Sequence, residues 1–271
     1  MKHFAIVAAV SGLAVLALTV QCLPNVLAND HDRDSSKISD RDSVGQGRND
    51  SEWNDNDREE GKVFDRDSVI QGRTAGEWNA AWQQWADSIP TADHPLFDNG
   101  DCSVGQSGPV WFLGGKFVAV GGTGSYDNVF RDCNVPAGKA LYVAAYNAED
   151  SALEQATPGL NQVVQIGNLR GITAAEMDSV TELAMQVDGE NIPHIKERFR
   201  MQSPVFGFTL PADNFFSAIG EGPFKAGTYF PAVDDGYYVM IAPLPIGNHT
   251  IHFHVIAGPY LLDVTYHINV H

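Results

Sequence analysis

From Thr250 to the C-terminus the chain alternates. Ile251, Phe253 and Val255 are separated by His252 and His254, and Val264, Tyr266, Ile268 and Val270 by Thr265, His267 and Asn269. A period of two sends successive side chains to opposite faces, so both runs read as strands with one apolar and one polar side. An antiparallel sheet with one wet face accommodates that pattern. A connection through Ala257-Gly258-Pro259-Tyr260 predicts the register: His252 faces Thr265, His254 faces Asp263 and Thr250 faces His267. A one-residue slip would turn one apolar set into water.

Upstream, short β-rich runs are punctuated by glycine. Strands are expected at 109–113, 116–120, 129–135, 140–146, 185–187, 204–210 and 237–242, with Gly114-Gly115, Gly121-Gly122 and Asp188-Gly189 as turns. Two capping boxes mark helices. Thr74-Ala75-Gly76-Glu77 opens one that Pro90 stops, and Thr173-Ala174-Ala175-Glu176 is expected to open another running to Leu183. On the first helix Trp78, Trp82 and Trp85 share a face and are read as core rather than as a sugar-stacking platform. The expected fold is mainly β: a β-sandwich, jelly-roll or Ig-like, with a short N-terminal helix and one inserted helix.

The N-terminus carries an address. Lys2, an apolar run from Phe4 to Val20, the break at Pro24 and Val26-Leu27-Ala28 form an expected signal peptide over residues 1–28. An uncleaved anchor is the rival reading, and Cys22 raises a lipoprotein that Gln21 fits poorly. Cleavage after Ala28 would leave Cys102 and Cys133, an even pair that reads as a disulfide in a secreted or periplasmic protein. No other run is long enough to cross a membrane, so the cleaved chain is not expected to span one.

Residues 29–73 hold 13 acidic and 8 basic side chains in 45 positions, too polar to offset their ordering entropy, and are expected to be a disordered acidic tail ahead of a domain at 74–271. The tail contains a repeat. Asp40-Arg41-Asp42-Ser43-Val44, Gln46-Gly47-Arg48 and Glu52-Trp53-Asn54 return 25 residues later as Asp65-Arg66-Asp67-Ser68-Val69, Gln71-Gly72-Arg73 and Glu77-Trp78-Asn79. Neither copy is an EF-hand loop, because Val44 and Ser51, or Ile70 and Gly76, stand where calcium needs oxygen ligands or glycine. The net charge of −17 would repel phosphates, so no nucleic-acid partner is expected.

Two constellations carry candidate chemistry. His252, His254, Asp263 and His267 share the polar face of the C-terminal hairpin and form a candidate zinc donor set, against the simpler reading of a solvated face. Glu149 and Asp150 after one strand, and Asp234 and Asp235 before another, are candidate catalytic carboxylates for glycoside hydrolysis. There is no His-Glu-x-x-His, no Gly-x-Ser-x-Gly and no dinucleotide loop. Asn49-Asp50-Ser51 and Asn248-His249-Thr250 are glycosylation sequons.

Several motifs carry a likeness together: Gly76-Glu77-Trp78 to Ser88-Ile89-Pro90, Gly105-Gln106-Ser107-Gly108-Pro109-Val110-Trp111-Phe112-Leu113, Cys133-Asn134-Val135-Pro136-Ala137-Gly138-Lys139-Ala140, Ser203-Pro204-Val205-Phe206, Asp235-Gly236-Tyr237 and Gly247-Asn248-His249-Thr250-Ile251. On these, residues 72–271 resemble a group of exported bacterial proteins with no known activity. The resemblance implies export and domain limits only, and the acidic repeated tail departs from the group's pattern. The expected function is a binding or surface-interaction module, with a glycan or cell-surface ligand. A metal-dependent or carboxylate-based extracellular hydrolase is the alternative.

Overall fold

The structure, a computed structural model, describes residues 58–59, 63–98, 100–117, 124–156 and 163–271, with side chains omitted at 58–59 and 124–128. The expected signal peptide, most of the expected tail and the first repeat copy lie outside these residues.

In chain order the elements are β1 (Arg58–Glu59), β2 (Val63–Phe64), α1 (Ala75–Ser88), β3 (Val110–Gly114), β4 (Gly124–Val135), β5 (Ala140–Ser151), α2 (Ile166–Met177), β6 (Val180–Val187), β7 (Glu190–Asn191), α3 (Ile195–Arg198), β8 (Arg200–Gln202), β9 (Phe206–Leu210), α4 (Phe215–Ile219), β10 (Gly227–Ile241), β11 (Gly247–Ala257) and β12 (Tyr260–Val270). They form a β-sandwich of two sheets. In the first, β10 is the spine: β5 pairs along one edge, β9, β8 and β2 dock in succession along the other, and β3 lies beyond β5. The second runs β4-β12-β11-β6-β7.

The C-terminal hairpin has the expected register, with His252 opposite Thr265, His254 opposite Asp263 and Thr250 opposite His267. Its inner residues Ile251, Phe253, Val264, Tyr266 and Ile268 are buried. Asp188-Gly189 turns β6 into β7, both residues in the left-handed region that a two-residue hairpin requires. Two pairings are parallel, β3 with β5 and β4 with β12, so the sandwich is not all-antiparallel as a jelly roll or Ig fold would be. A parallel neighbour arrives through a long crossover and leaves no local turn signal.

Three expectations are corrected. The second helix ends where it was expected to begin. Thr173 lies in the last turns of α2 with its hydroxyl bonded to Arg170 O, and Val180 already starts β6. The segment from Val180 pairs with β11, and that tertiary contact outweighs the local capping pattern. Lys116 and Phe117 are not strand, and 118–120 lie outside the described residues. Finally, residues 63–73 belong to the fold. Val63, Phe64 and Ile70 are buried, β2 pairs with β10, and Ile70 and Arg73 close a turn through Gln71 and Gly72. Three apolar side chains suffice to dock a segment whose average composition is polar.

α1 has the expected capping box: Thr74 N donates to Glu77 Oε2 at 2.8 Å and Glu77 N to Thr74 Oγ1 at 3.4 Å. Its tryptophans are core. Trp82 is fully buried, and the indole N–H groups of Trp78, Trp82 and Trp85 donate to Ile70 O, Leu113 O and Val104 O. The helix lies against β8, β9 and β10, while α2 covers β5 and β10. Tyr146 reaches Glu176 on α2, whereas its neighbour Asn147 reaches Gln83 on α1, so the helices occupy opposite faces of the first sheet. The Cys102–Cys133 disulfide ties the loop before β3 to β4.

Candidate functional site

The first site is an acid layer beneath α1. Asn79, Gln83 and Asp87 recur every four residues, all 0% exposed, and form a polar stripe beside the tryptophans. Under them the register sets Glu149 directly opposite Asp234 and Asn147 opposite Gly236. A Cβ at Gly236 would lie 2.5 Å from that of Asn147, so only glycine lets the strands close there. Asp234 Oδ2 accepts from Tyr238 O–H at 3.0 Å and from Asn147 Nδ2 at 2.9 Å. Asn147 Nδ2 also donates to Gln83 Oε1, and Gln83 Nε2 donates to Asp87 Oδ1.

The network leaves oxygens over. Among the described residues Asp87 Oδ2, Asp234 Oδ1 and Asn147 Oδ1 are buried without a hydrogen-bond partner, and the buried carboxyl of Glu149 is left to that of Glu154. Burial pushes the Asp234 carboxyl up to about 8, aided by the charge of Asp235 behind it. Burial likewise raises Glu149 well above the carboxylate range, with Glu154, Asp87 and Asp150 adding to the shift, and raises Asp87, with Asp234 adding to it. The charges that reach these three are all negative.

The other two candidate carboxylates are engaged elsewhere. Asp235 follows Asp234 and so faces the opposite side of the sheet, where it accepts a forked pair from Arg200 at 3.1 and 3.0 Å and a third bond from Gln202. Asp150 is held by Ser151 N and by Gln155 Nε2, and burial lifts it to about 6. Glu149 at 1% and Asp234 at 0% exposure are brought together but offer a sugar chain no access. The hydrolase reading therefore gains a carboxylate pair without a cleft.

The second site is the outer face of the five-stranded sheet. His252 Nε2 and His254 Nδ1 contact the two oxygens of Asp263 at 3.1 and 3.2 Å. His267 turns the other way, to Asp132 of β4 at 3.0 Å. Among the described residues no three His, Cys, Asp or Glu groups stand where a metal ion could be held. Among the described residues the candidate zinc set is therefore not assembled: its third histidine is drawn away by a strand whose position the hairpin alone does not reveal.

That parallel strand builds a groove. Asn134, Asn269 and Asn248 stand in register across β4, β12 and β11, with Asn269 Nδ2 donating to Asn134 Oδ1 at 2.9 Å. The next row is Asp132, His267 and Thr250. With His249 these residues line a groove of about 420 Å³. At its side Phe130, 62% exposed, stacks on His267 with centroids 6.4 Å apart and planes at 22°. Phe130, Asp132 and the asparagine row escaped the sequence reading, as did the α1 polar stripe. The stripe had a legible signal, its spacing of four, but the groove had none.

No known family profile matches the chain, and no curated protein is similar to it. One solved structure, titled "Structure of PbICP-C in complex with falcipain-2", is similar over 60% of this chain and 100% of that one, at 9% identity and a TM-score of 0.21. A likeness at that score carries no argument about fold or function.

Proposed function

We propose that the protein is an exported binding module whose outer sheet face takes a glycan. The observation carrying this reading is the in-register amide row Asn134–Asn269–Asn248 beside an exposed aromatic pair, Phe130 on His267. Amide and carboxylate groups on adjacent strands meet the vicinal hydroxyls of a pyranose, and an exposed aromatic face packs on its C–H side. The net charge of −17 selects against anionic polysaccharides and in favour of neutral or amino sugars.

A glycan array followed by titration calorimetry tests the reading. Wild type should bind a neutral or amino-sugar oligosaccharide, and Phe130→Ala or Asn269→Ala should weaken it at least about tenfold, roughly 1.4 kcal/mol. Absence of any sugar ligand, or equal binding by both variants, would remove the proposal.

A further inference from the structure

We propose that the seat of α1 is an acid lock: Asp87, Glu149 and Asp234 are protonated in the folded protein, and their ionisation in alkaline solution loosens α1 from the seven-stranded sheet. The geometry carries this. Asp87 comes from the helix, Glu149 and Asp234 from facing positions on β5 and β10, and each is 1% exposed or less. Among the described residues Asp87 Oδ2 and Asp234 Oδ1 have no hydrogen-bond partner, and the carboxyl of Glu149 meets another carboxyl, that of Glu154. A buried carboxylate with an orphaned oxygen is costly, whereas the neutral acid is tolerated.

Among the described residues the groups around the layer offer no counter-charge. From α1 come Asn79 and Gln83, from β5 Tyr142, Asn147 and Asp150, from β10 Tyr238, and from flanking loops Glu154 and Glu221. All are neutral or acidic. Arg200 stands behind the sheet and is committed to Asp235 and Asp178. Asp87 also sits in the last turn of α1, where the helix dipole disfavours a negative charge and no basic residue offsets it.

The sign follows from proton linkage. In the unfolded chain these carboxyls release protons near about pH 4, but the fold retains them. The lock is therefore intact in acid, weakens as pH rises from there, and its loss for Asp234 is complete above the folded value of about 8. Because the helix contributes one acid and the sheet two, their repulsion acts across that interface.

Thermal melts of the full chain at about pH 5 and about pH 9 test this, together with Asp234→Asn and Glu149→Gln. Wild type should melt about 10 °C lower at the alkaline pH, and the double variant should show less than about half that drop. Hydrogen exchange on wild type, corrected for the intrinsic rate, should show α1 amides losing protection before those of β11 and β12. That measurement also decides the matter if the variant does not fold. A pH-independent wild-type melt, an unchanged slope in the variant, or uniform loss of protection would overturn the proposal. So would an alkaline melt raised by millimolar calcium and reversed by chelation, because the layer would then hold a cation.

Discussion

The three tryptophans of α1 each meet a particular backbone carbonyl. Trp82 is the clearest: fully buried, edge-on to both Trp85 and Tyr238, with its indole N–H on Leu113 O at 2.8 Å. Trp82→Ala should lower unfolding free energy by about 3–5 kcal/mol in a denaturant titration, from cavity and lost contacts together. Arg200 is the corresponding charged case. Arg200→Ala leaves Asp235 buried and unpaired behind β10, and should cost about 3 kcal/mol by the same measurement. Both roles combine legible and illegible parts. The tryptophan stripe could be read as core from its spacing. That Asp235 is an ion-pair partner while Asp234 lies buried among other acids could not, because adjacent residues on a strand meet different neighbours.

Among elements, α1 decides most about the fold. Its capping box and tryptophan face are local patterns and were legible. The stripe of Asn79, Gln83 and Asp87 acquires its meaning only when Glu149 and Asp234 are set beneath it. Gly76 shows how tight the seat is: a Cβ there would meet Gln202 O at 2.6 Å. In sequence the first repeat copy has Ser51 at the matching position, and Asp57 and Glu60 where α1 has Trp82 and Trp85. Thr74→Ala removes the cap and should cost about 1 kcal/mol. The Cys102–Cys133 bridge, separated by 31 residues, pins the loop beside Trp85 to β4. Replacing both cysteines by serine should cost about 3–4 kcal/mol, read from the shift in denaturation midpoint. α2 went the other way: its capping pattern was local and misleading, because β6 claims the residues after Met177.

For the whole molecule, the N-terminal boundary is a prediction of its own. Val63, Phe64 and Ile70 are buried and Ile70 O receives the Trp78 indole. A chain beginning at residue 58 should therefore be more stable than one beginning at residue 74 by about 5 kcal/mol, measured by urea unfolding of the two. Composition hid this, because an average over 45 residues does not register three apolar anchors. The mainly β class, the C-terminal hairpin and its register, the first helix and the cysteine pair are all readable in the order of the residues. Each is written in a period, a cap or a count, and each is settled by interactions between chain neighbours or by the parity of a strand. Tertiary structure alone decided which strands became neighbours. β4 arrives parallel to β12 from more than a hundred residues away, takes His267 from the candidate metal set and completes a groove of amides and an aromatic pair. β10 sets Asp234 against Glu149 under α1 and closes the layer to water. Long-range pairing is selected by the burial of whole faces, and no local stretch of residues carries that information.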